Sequence, residues 1–130
     1  MTDKKTIAID LDGVLAQYEG WVSEDHTLPP VPGAKEFVED LLQDGFDVAI
    51  YSTRPVLVVA NWLDRWGFAF PQRYPIVNPA SEKWGRIRIS EGKPKALVYI
   101  DDRGFRFTGP DSWEAAKKAI FQIPWWKEEK

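Results

Sequence analysis

Hydrophobic positions along this chain alternate between two rhythms. Thr6-Ile7-Ala8-Ile9-Asp10-Leu11 is a short apolar run, rich in β-branched residues, that ends in acids and is broken by Asp12-Gly13. Such a run predicts a strand. Residues 16–32 follow no helical period and carry Pro29, Pro30 and Pro32, which predicts a loop. Ala34, Phe37, Val38, Leu41 and Leu42 then fit the i, i+3, i+4, i+7, i+8 spacing of an amphipathic helix. Lys35, Glu36, Glu39, Asp40, Gln43 and Asp44 fill its other face, Pro32-Gly33 opens it and Gly45 closes it. Asp47-Val48-Ala49-Ile50-Tyr51 predicts a second strand, running out into Ser52-Thr53-Arg54-Pro55. Val56 to Trp66 predicts a second helix, with Gly67 past its end. Its polar residues are few (Asn61, Asp64, Arg65), so it should be largely covered.

The second half is less regular. Tyr74-Pro75-Ile76-Val77-Asn78 predicts a third, weaker strand. Residues 79–95 are polar and irregular, with hairpin character at Arg86-Ile87-Arg88-Ile89. Ala96-Leu97-Val98-Tyr99-Ile100 predicts a strong fourth strand that also ends in acids, Asp101-Asp102. Asp111 and Glu114 have capping-box spacing ahead of a helix through about Ala119. Ile120 to Ile123 reads as a last short strand, and Trp125-Trp126 as anchors for the tail. Strands alternating with helices, with uniformly apolar strands, predict a mainly parallel sheet covered on both faces. The expected fold is a single three-layer, Rossmann-like α/β domain over residues 1–130.

Composition narrows the chemistry. A chain of 130 residues and 14.9 kDa is one domain in size. It has no Cys, which excludes disulfides and thiolate metal sites. His26 is its one histidine, which excludes sites needing two imidazoles. The net charge of −3 argues against strong nonspecific binding of nucleic acid. The charged N-terminus leads into an apolar run too short for a secretory or transmembrane segment. The reading is therefore of a soluble, cytoplasmic protein with no membrane partner.

In open α/β sheets, ligands bind beyond the carboxyl ends of the strands. Here those ends carry Asp10 and Asp12, then Ser52, Thr53 and Arg54, then Asp101, Asp102 and Arg103. Four carboxylates on one rim repel each other at close range. A hard divalent cation relieves that, and oxygen ligands suit Mg²⁺, which keeps positions for water and a substrate phosphate. Taken singly, each piece has a plainer reading: a turn at Asp12-Gly13, a helix cap at Ser52-Thr53, solvated lysines at Lys93 and Lys95, ordinary ion pairs at Arg54 and Arg103. Only their joint position at three strand ends points to a site.

The motifs also resemble a family. Ile9-Asp10-Leu11-Asp12-Gly13-Val14-Leu15 looks like the first motif of the haloacid dehalogenase superfamily. Ile50-Tyr51-Ser52-Thr53-Arg54-Pro55 resembles its second, Gly92-Lys93-Pro94 its third, and Val98-Tyr99-Ile100-Asp101-Asp102-Arg103 its fourth. The nearest likeness is to small capless phosphatases of that family and, more loosely, to the phosphatase half of polynucleotide kinase-phosphatases. This resemblance implies an Mg²⁺-dependent phosphomonoester hydrolase. Asp10 would be the nucleophile, forming an aspartyl-phosphate, and Asp12 the general acid and base, with its pKa raised by Asp10 and partial burial. Ser52, with Thr53 and Arg54, would bind the phosphoryl group, and Lys93 would neutralise it. Asp101, with Asp102 assisting, would hold the metal together with Asp10 and the backbone carbonyl of Asp12. Lys93 lies eight residues before Asp101; Lys83, at eighteen, fits the longer spacing of many members, and Lys95 is third choice.

Neither point at which the family inserts cap domains has length for one here. An open site is implied, sealed by the substrate or by a second subunit of a homo-oligomer. The substrate would be a phosphorylated small molecule or a phosphorylated nucleic-acid end. Tyr18, Trp21 and His26 are expected near the rim, whereas Arg86 and Arg88 read better as a solvated hairpin. Three other readings stay open: a phosphotransferase or phosphomutase, a receiver-like domain, and a regulatory phosphate-binding module. A receiver carries its phosphorylated Asp at the third strand, which here ends in Val77-Asn78-Pro79. A regulatory module would normally have lost Asp10 or Asp12.

Overall fold

A computed structural model describes residues 6–68, 85–122 and 124–127. Strand β1 (Thr6–Asp10) pairs in parallel with β2 (Asp47–Ser52) on one side and β4 (Val98–Ile100) on the other. Strand β3 (Ile87–Glu91) adds in parallel to the far side of β2, giving the order β3-β2-β1-β4. Between them run α1 (Ala34–Gln43) and α2 (Val56–Arg65), and α3 (Ser112–Ala119) follows β4. A 3₁₀ turn, Trp125–Lys127, closes the described chain.

The apolar runs explain the centre of the sheet. Thr6, Ile7, Ala8 and Ile9 are all buried, so both faces of β1 are covered. The same holds for Val48, Ala49 and Ile50 of β2. One core joins Ile7, Ile9, Leu11, Val48 and Ile50 to Val38 and Leu42 of α1 and to Val59, Trp62 and Leu63 of α2. Each such aliphatic side chain contributes roughly 1.5–3 kcal/mol relative to exposure. Helices α1 and α2 each stop where a glycine turns left-handed: Gly45 has φ +90° and Gly67 has φ +77°. The register then aligns the strand ends. Ile9 stands beside Ile50 and Ile100, which brings Asp10, Ser52 and Asp101 to one edge of the sheet.

Several expectations are corrected. Arg86 to Ile89 is not a hairpin. It leads into β3, a parallel edge strand reached through the α2 crossover, with Ile87 buried and Arg88 exposed. Arg86 sits at the opposite end of the sheet from the acids, paired at 3.8 Å with Asp47. Helix α2 is covered on one side only, since Leu57 is 71% exposed. Beyond β1 and β2 the sheet is not covered on both faces either: Val98 and Tyr99 of β4 are exposed. Asp111 makes no side-chain cap at α3; instead the Thr108 N–H donates to Ser112 Oγ at 2.9 Å. Ile120 to Gln122 form an exposed turn, not a strand. The strand expected at Tyr74 to Asn78 lies outside the described residues. No helix among the described residues is long and apolar enough to cross a membrane.

Candidate active site

The chain leaves β1 at Asp10 and turns sharply. The Gly13 N–H donates to the Ala16 carbonyl at 2.8 Å, and Gly13 takes φ +84°, a conformation open to a residue without a Cβ. Asp10 accepts the Leu11 N–H on Oδ1 at 2.8 Å. Both Asp10 and Asp12 line an open cleft of about 420 Å³, together with Tyr18, Trp21, Tyr51, Ser52, Thr53, Gly92, Lys93, Asp102 and Arg103. Residues from all three motif-bearing strand ends therefore meet around one space, and Lys93 joins them from the loop after β3.

Asp10 is the perturbed acid of the site. Burial, and then the nearby Asp102, Asp12 and Asp101 carboxylates, raise its pKa to about 7, against the Leu11 N–H bond that lowers it. Asp12 is gripped by Arg54, at 2.8 Å from Nε to Oδ2 and 3.2 Å from Nη2 to Oδ1. The same buried guanidinium donates through Nη1 to the carbonyls of Ser23 at 2.8 Å and Glu24 at 2.7 Å. Trp21 stacks over it, 4.8 Å from Cζ to the ring centroid. Four of the five Arg54 N–H groups are thereby committed within the protein. The structure thus gives Arg54 a different place from the phosphate contact expected of it: it aims Asp12 and ties down the loop after β1.

Ser52 Oγ accepts the Arg54 backbone N–H at 3.0 Å, which leaves its O–H to donate into the cleft. Thr53 is exposed beside it. Lys93 lies with Nζ 4.5 Å from the Tyr99 ring centroid, a cation–π contact that holds the charge at the cleft wall. Lys95 is exposed and does not line the cleft, and Lys83 is outside the described residues. Tyr51 is held above the ordinary phenol range by burial and by the Asp101 and Asp10 carboxylates, so it stays a protonated donor. Its O–H reaches Asp101 at 3.5 Å.

The adjacent acids after β4 separate in role. Asp101 accepts the Arg103 N–H at 3.0 Å and also the Gly104 N–H, so it shapes its own turn. Asp102 lines the cleft and accepts the indole N–H of Trp126. Trp126 packs edge-on against Tyr18, with centroids 4.6 Å apart, and Trp125 donates to the Gly13 carbonyl at 2.7 Å. The tail is anchored by its tryptophans, as expected. The sequence pattern assigns no site role to Trp126 or Tyr51, while Arg103 is at the strand end where it is expected. The Trp125-Trp126 pair was a visible signal, but its partner across the fold was not. His26 is exposed and does not line the cleft.

The donor set can be tested against Mg²⁺. Among the described residues, no three acidic or imidazole groups stand together as a ready cluster. The Asp12 carboxylate is committed to Arg54, a pairing that does not involve its backbone carbonyl, and Asp101 accepts backbone N–H groups. Asp10 and Asp102 line the cleft, and each has a protein hydrogen bond on one oxygen only among the described residues. Two carboxylates with water and a substrate phosphate suit Mg²⁺, which seldom needs an all-protein cage. Of the side chains expected to hold the ion, Asp10 and Asp102 line the cleft and could do so, while Asp101 is engaged in its own turn.

No protein-family model and no curated protein matches the chain. Among solved structures, it is similar to a conserved protein coded by a locus of Bacteroides thetaiotaomicron. The two share 20% sequence identity with a TM-score of 0.52, over 92% of this chain and 99% of that one. At that identity the likeness shows the fold: a small Rossmann-like α/β domain with a parallel sheet and no cap.

Proposed function

We propose that this chain is an Mg²⁺-dependent phosphomonoester hydrolase working through an aspartyl-phosphate on Asp10. One observation carries the reading. A half-buried, destabilised carboxylate at the end of a central strand shares a cleft with a hydroxyl donor, a lysine and a second carboxylate, all from different elements. Strongly perturbed acids in clefts mark functional sites more often than structural ones.

A carboxylate attacks a phosphate ester poorly, because like charges repel. Mg²⁺, held by Asp10 and Asp102, would supply positive charge at the phosphoryl oxygens. Lys93 adds a second positive charge from the cleft wall, and the Ser52 O–H donates to a phosphoryl oxygen. An Asp10 oxygen forms the new bond to phosphorus while the bond to the ester oxygen breaks. Asp12, protonated on one oxygen while the other stays on Arg54, delivers that proton to the leaving oxygen, then takes one from the water that hydrolyses the aspartyl-phosphate. Arg54 keeps Asp12 oriented through both steps.

The test is direct. Purified protein hydrolyses an aryl phosphate with Mg²⁺ and loses that activity in EDTA. Acid quenching during turnover leaves a phosphoryl adduct on Asp10, read by mass spectrometry. Full activity in chelator, or turnover with the adduct on another residue, overturns the reading. Product analysis with added alcohol acceptors separates hydrolysis from phosphoryl transfer.

A further inference from the structure

Gly13, Asp102 and Trp126 come from three distant parts of the chain and meet at one point. Trp126 donates its indole N–H to Asp102 Oδ2. Gly13 makes the approach feasible, because a Cβ there would run into both the Asp102 carboxylate and Trp126 Nε1, at 2.9 Å from the latter. The indole is itself braced. Tyr18 meets it edge-on, and the side chains of Arg103 and Lys127 lie 5.3 and 5.6 Å from its ring centroid. Trp125, its neighbour, fixes the turn to the Gly13 carbonyl. A braced donor on one carboxylate oxygen limits rotation of that carboxylate.

We propose that Trp126 is a positioning residue for the metal site. Its N–H fixes one oxygen of Asp102 and thereby presents the other to the cleft, so that the C-terminal turn completes the binding site. This rests on the reading of Asp10 and Asp102 as the Mg²⁺ carboxylates. Hydrogen bonds to a ligating carboxylate fix its orientation, and their loss typically costs roughly 10–100-fold in metal affinity. Asp102 loses rotational freedom in advance of binding, so the effect falls on affinity and not on the chemical step.

Calorimetric titration with Mg²⁺ alone tests this on the full chain. Trp126→Phe keeps the ring packing and removes the N–H, and should weaken Mg²⁺ roughly 10–100-fold. Its kcat on an aryl phosphate at saturating Mg²⁺ should stay within about twofold of wild type, since a positioning effect is recovered by mass action. Trp125→Phe removes the other indole N–H of the same turn and should bind Mg²⁺ like wild type. In an Asp102→Ala background, Trp126→Phe should have no further effect, because the partner it positions is gone. Wild-type affinity in Trp126→Phe overturns the proposal. So does an equal loss in Trp125→Phe, which would assign the effect to docking of the tail. Absence of Mg²⁺ uptake by the wild-type chain overturns the metal reading itself, a result distinct from either.

Discussion

The two sides of the cleft are built differently. On the β1–β2 side, Asp10, Asp12, Ser52 and Arg54 rise directly from buried strands and a buried ion pair. On the other side, Asp102 and Arg103 follow the edge strand β4, whose Val98 and Tyr99 are open to solvent, and Lys93 sits on the exposed loop between β3 and β4. The first side is held by the core, and its geometry is set by folding itself. The second is held by a few side-chain contacts: an indole N–H on Asp102, Tyr99 beneath Lys93, Asp101 in its own turn. Substitutions that break the Asp12–Arg54 pair on the first side should therefore cost both chemistry and stability, while substitution of Asp10, a destabilised acid, should cost chemistry alone. Those on the second should cost binding or rate with the fold intact.

The largest effect is expected at Asp10. Asp10→Asn is nearly isosteric and keeps an oxygen for the Leu11 N–H, so the fold should survive. It has no nucleophilic carboxylate, and turnover should fall below detection with no phosphoryl adduct formed. An active Asp10→Asn variant would remove the basis of the mechanism.

Asp12 and Arg54 should fail together, and their failure should depend on the leaving group. General acid catalysis contributes on the order of 10²–10⁴ in rate. Asp12→Asn should lose about that much on an alkyl phosphate and distinctly less on an aryl phosphate, whose leaving group needs no proton. Arg54→Lys keeps the charge but loses the paired contact to Asp12 and the bonds to Ser23 and Glu24. It should share the alkyl–aryl asymmetry and also melt lower, since a buried pair that loses one partner costs roughly 3–5 kcal/mol at the limit of full removal. Equal losses on both substrates would count against Asp12 as the acid.

Lys93 tests the looser side. As a fixed charge near the phosphoryl group it should be worth on the order of 10²–10³ in rate, like other preorganised electrostatic contacts. Lys93→Ala should show that loss and melt near wild type, because an exposed lysine contributes little to stability. Lys95→Ala should be silent. If Lys83→Ala is the dead variant and Lys93→Ala active, the charge comes from residues 79–92 and not from the Gly-Lys-Pro turn.

How much of this was legible in the sequence follows the same division. β1, β2, α1 and α2 have uninterrupted apolar patterns and glycine stops, and their bounds in the structure lie close to those read from the pattern. The convergence of Asp10, Asp12, Ser52 and Asp102 followed from one topological rule about strand ends, whereas Lys93 came only from the resemblance of Gly92-Lys93-Pro94 to a family motif. The β4 side was harder. Ile87-Arg88-Ile89 alternates like a hairpin strand, and the pattern alone does not say that its partner is β2, across a helix. Adjacent Asp101 and Asp102 look equivalent in a string, yet one closes a turn and the other faces the cleft. Arg54 read as a phosphate ligand because its place beside Ser52 and Thr53 does not reveal that Asp12, Ser23 and Glu24 claim its donors first. Contacts between distant segments, as at Trp126, leave no local trace.

The smallest effect sharpens the same contrast through stability. In chelator, Asp10 is an acid with a pKa of about 7 in the folded chain against 3.8 as its ordinary value. Below about pH 4 it is protonated in both folded and unfolded states and favours neither. Between about pH 4 and pH 7 the folded chain keeps the proton and the unfolded chain releases it, so stability falls as pH rises. Above pH 7 both states are ionised and the cost of the buried charge stays constant. Asp10→Asn carries no such charge. In EDTA it should melt close to wild type at pH 4 and increasingly above it up to pH 7, with a steady gap beyond. Saturating Mg²⁺ should shrink the gap by neutralising the wild-type carboxylate while gaining less from the variant. A gap that ignores pH between 4 and 7 would mean that Asp10 is not the destabilised acid of this cleft. A gap that ignores Mg²⁺ would mean that the cation is not held at Asp10. Asp102→Asn provides the comparison from the looser side: it removes the largest charge contribution to raising Asp10, so it should raise stability in EDTA at pH 8 as well, by less than Asp10→Asn, because burial comes first among the causes of the shift.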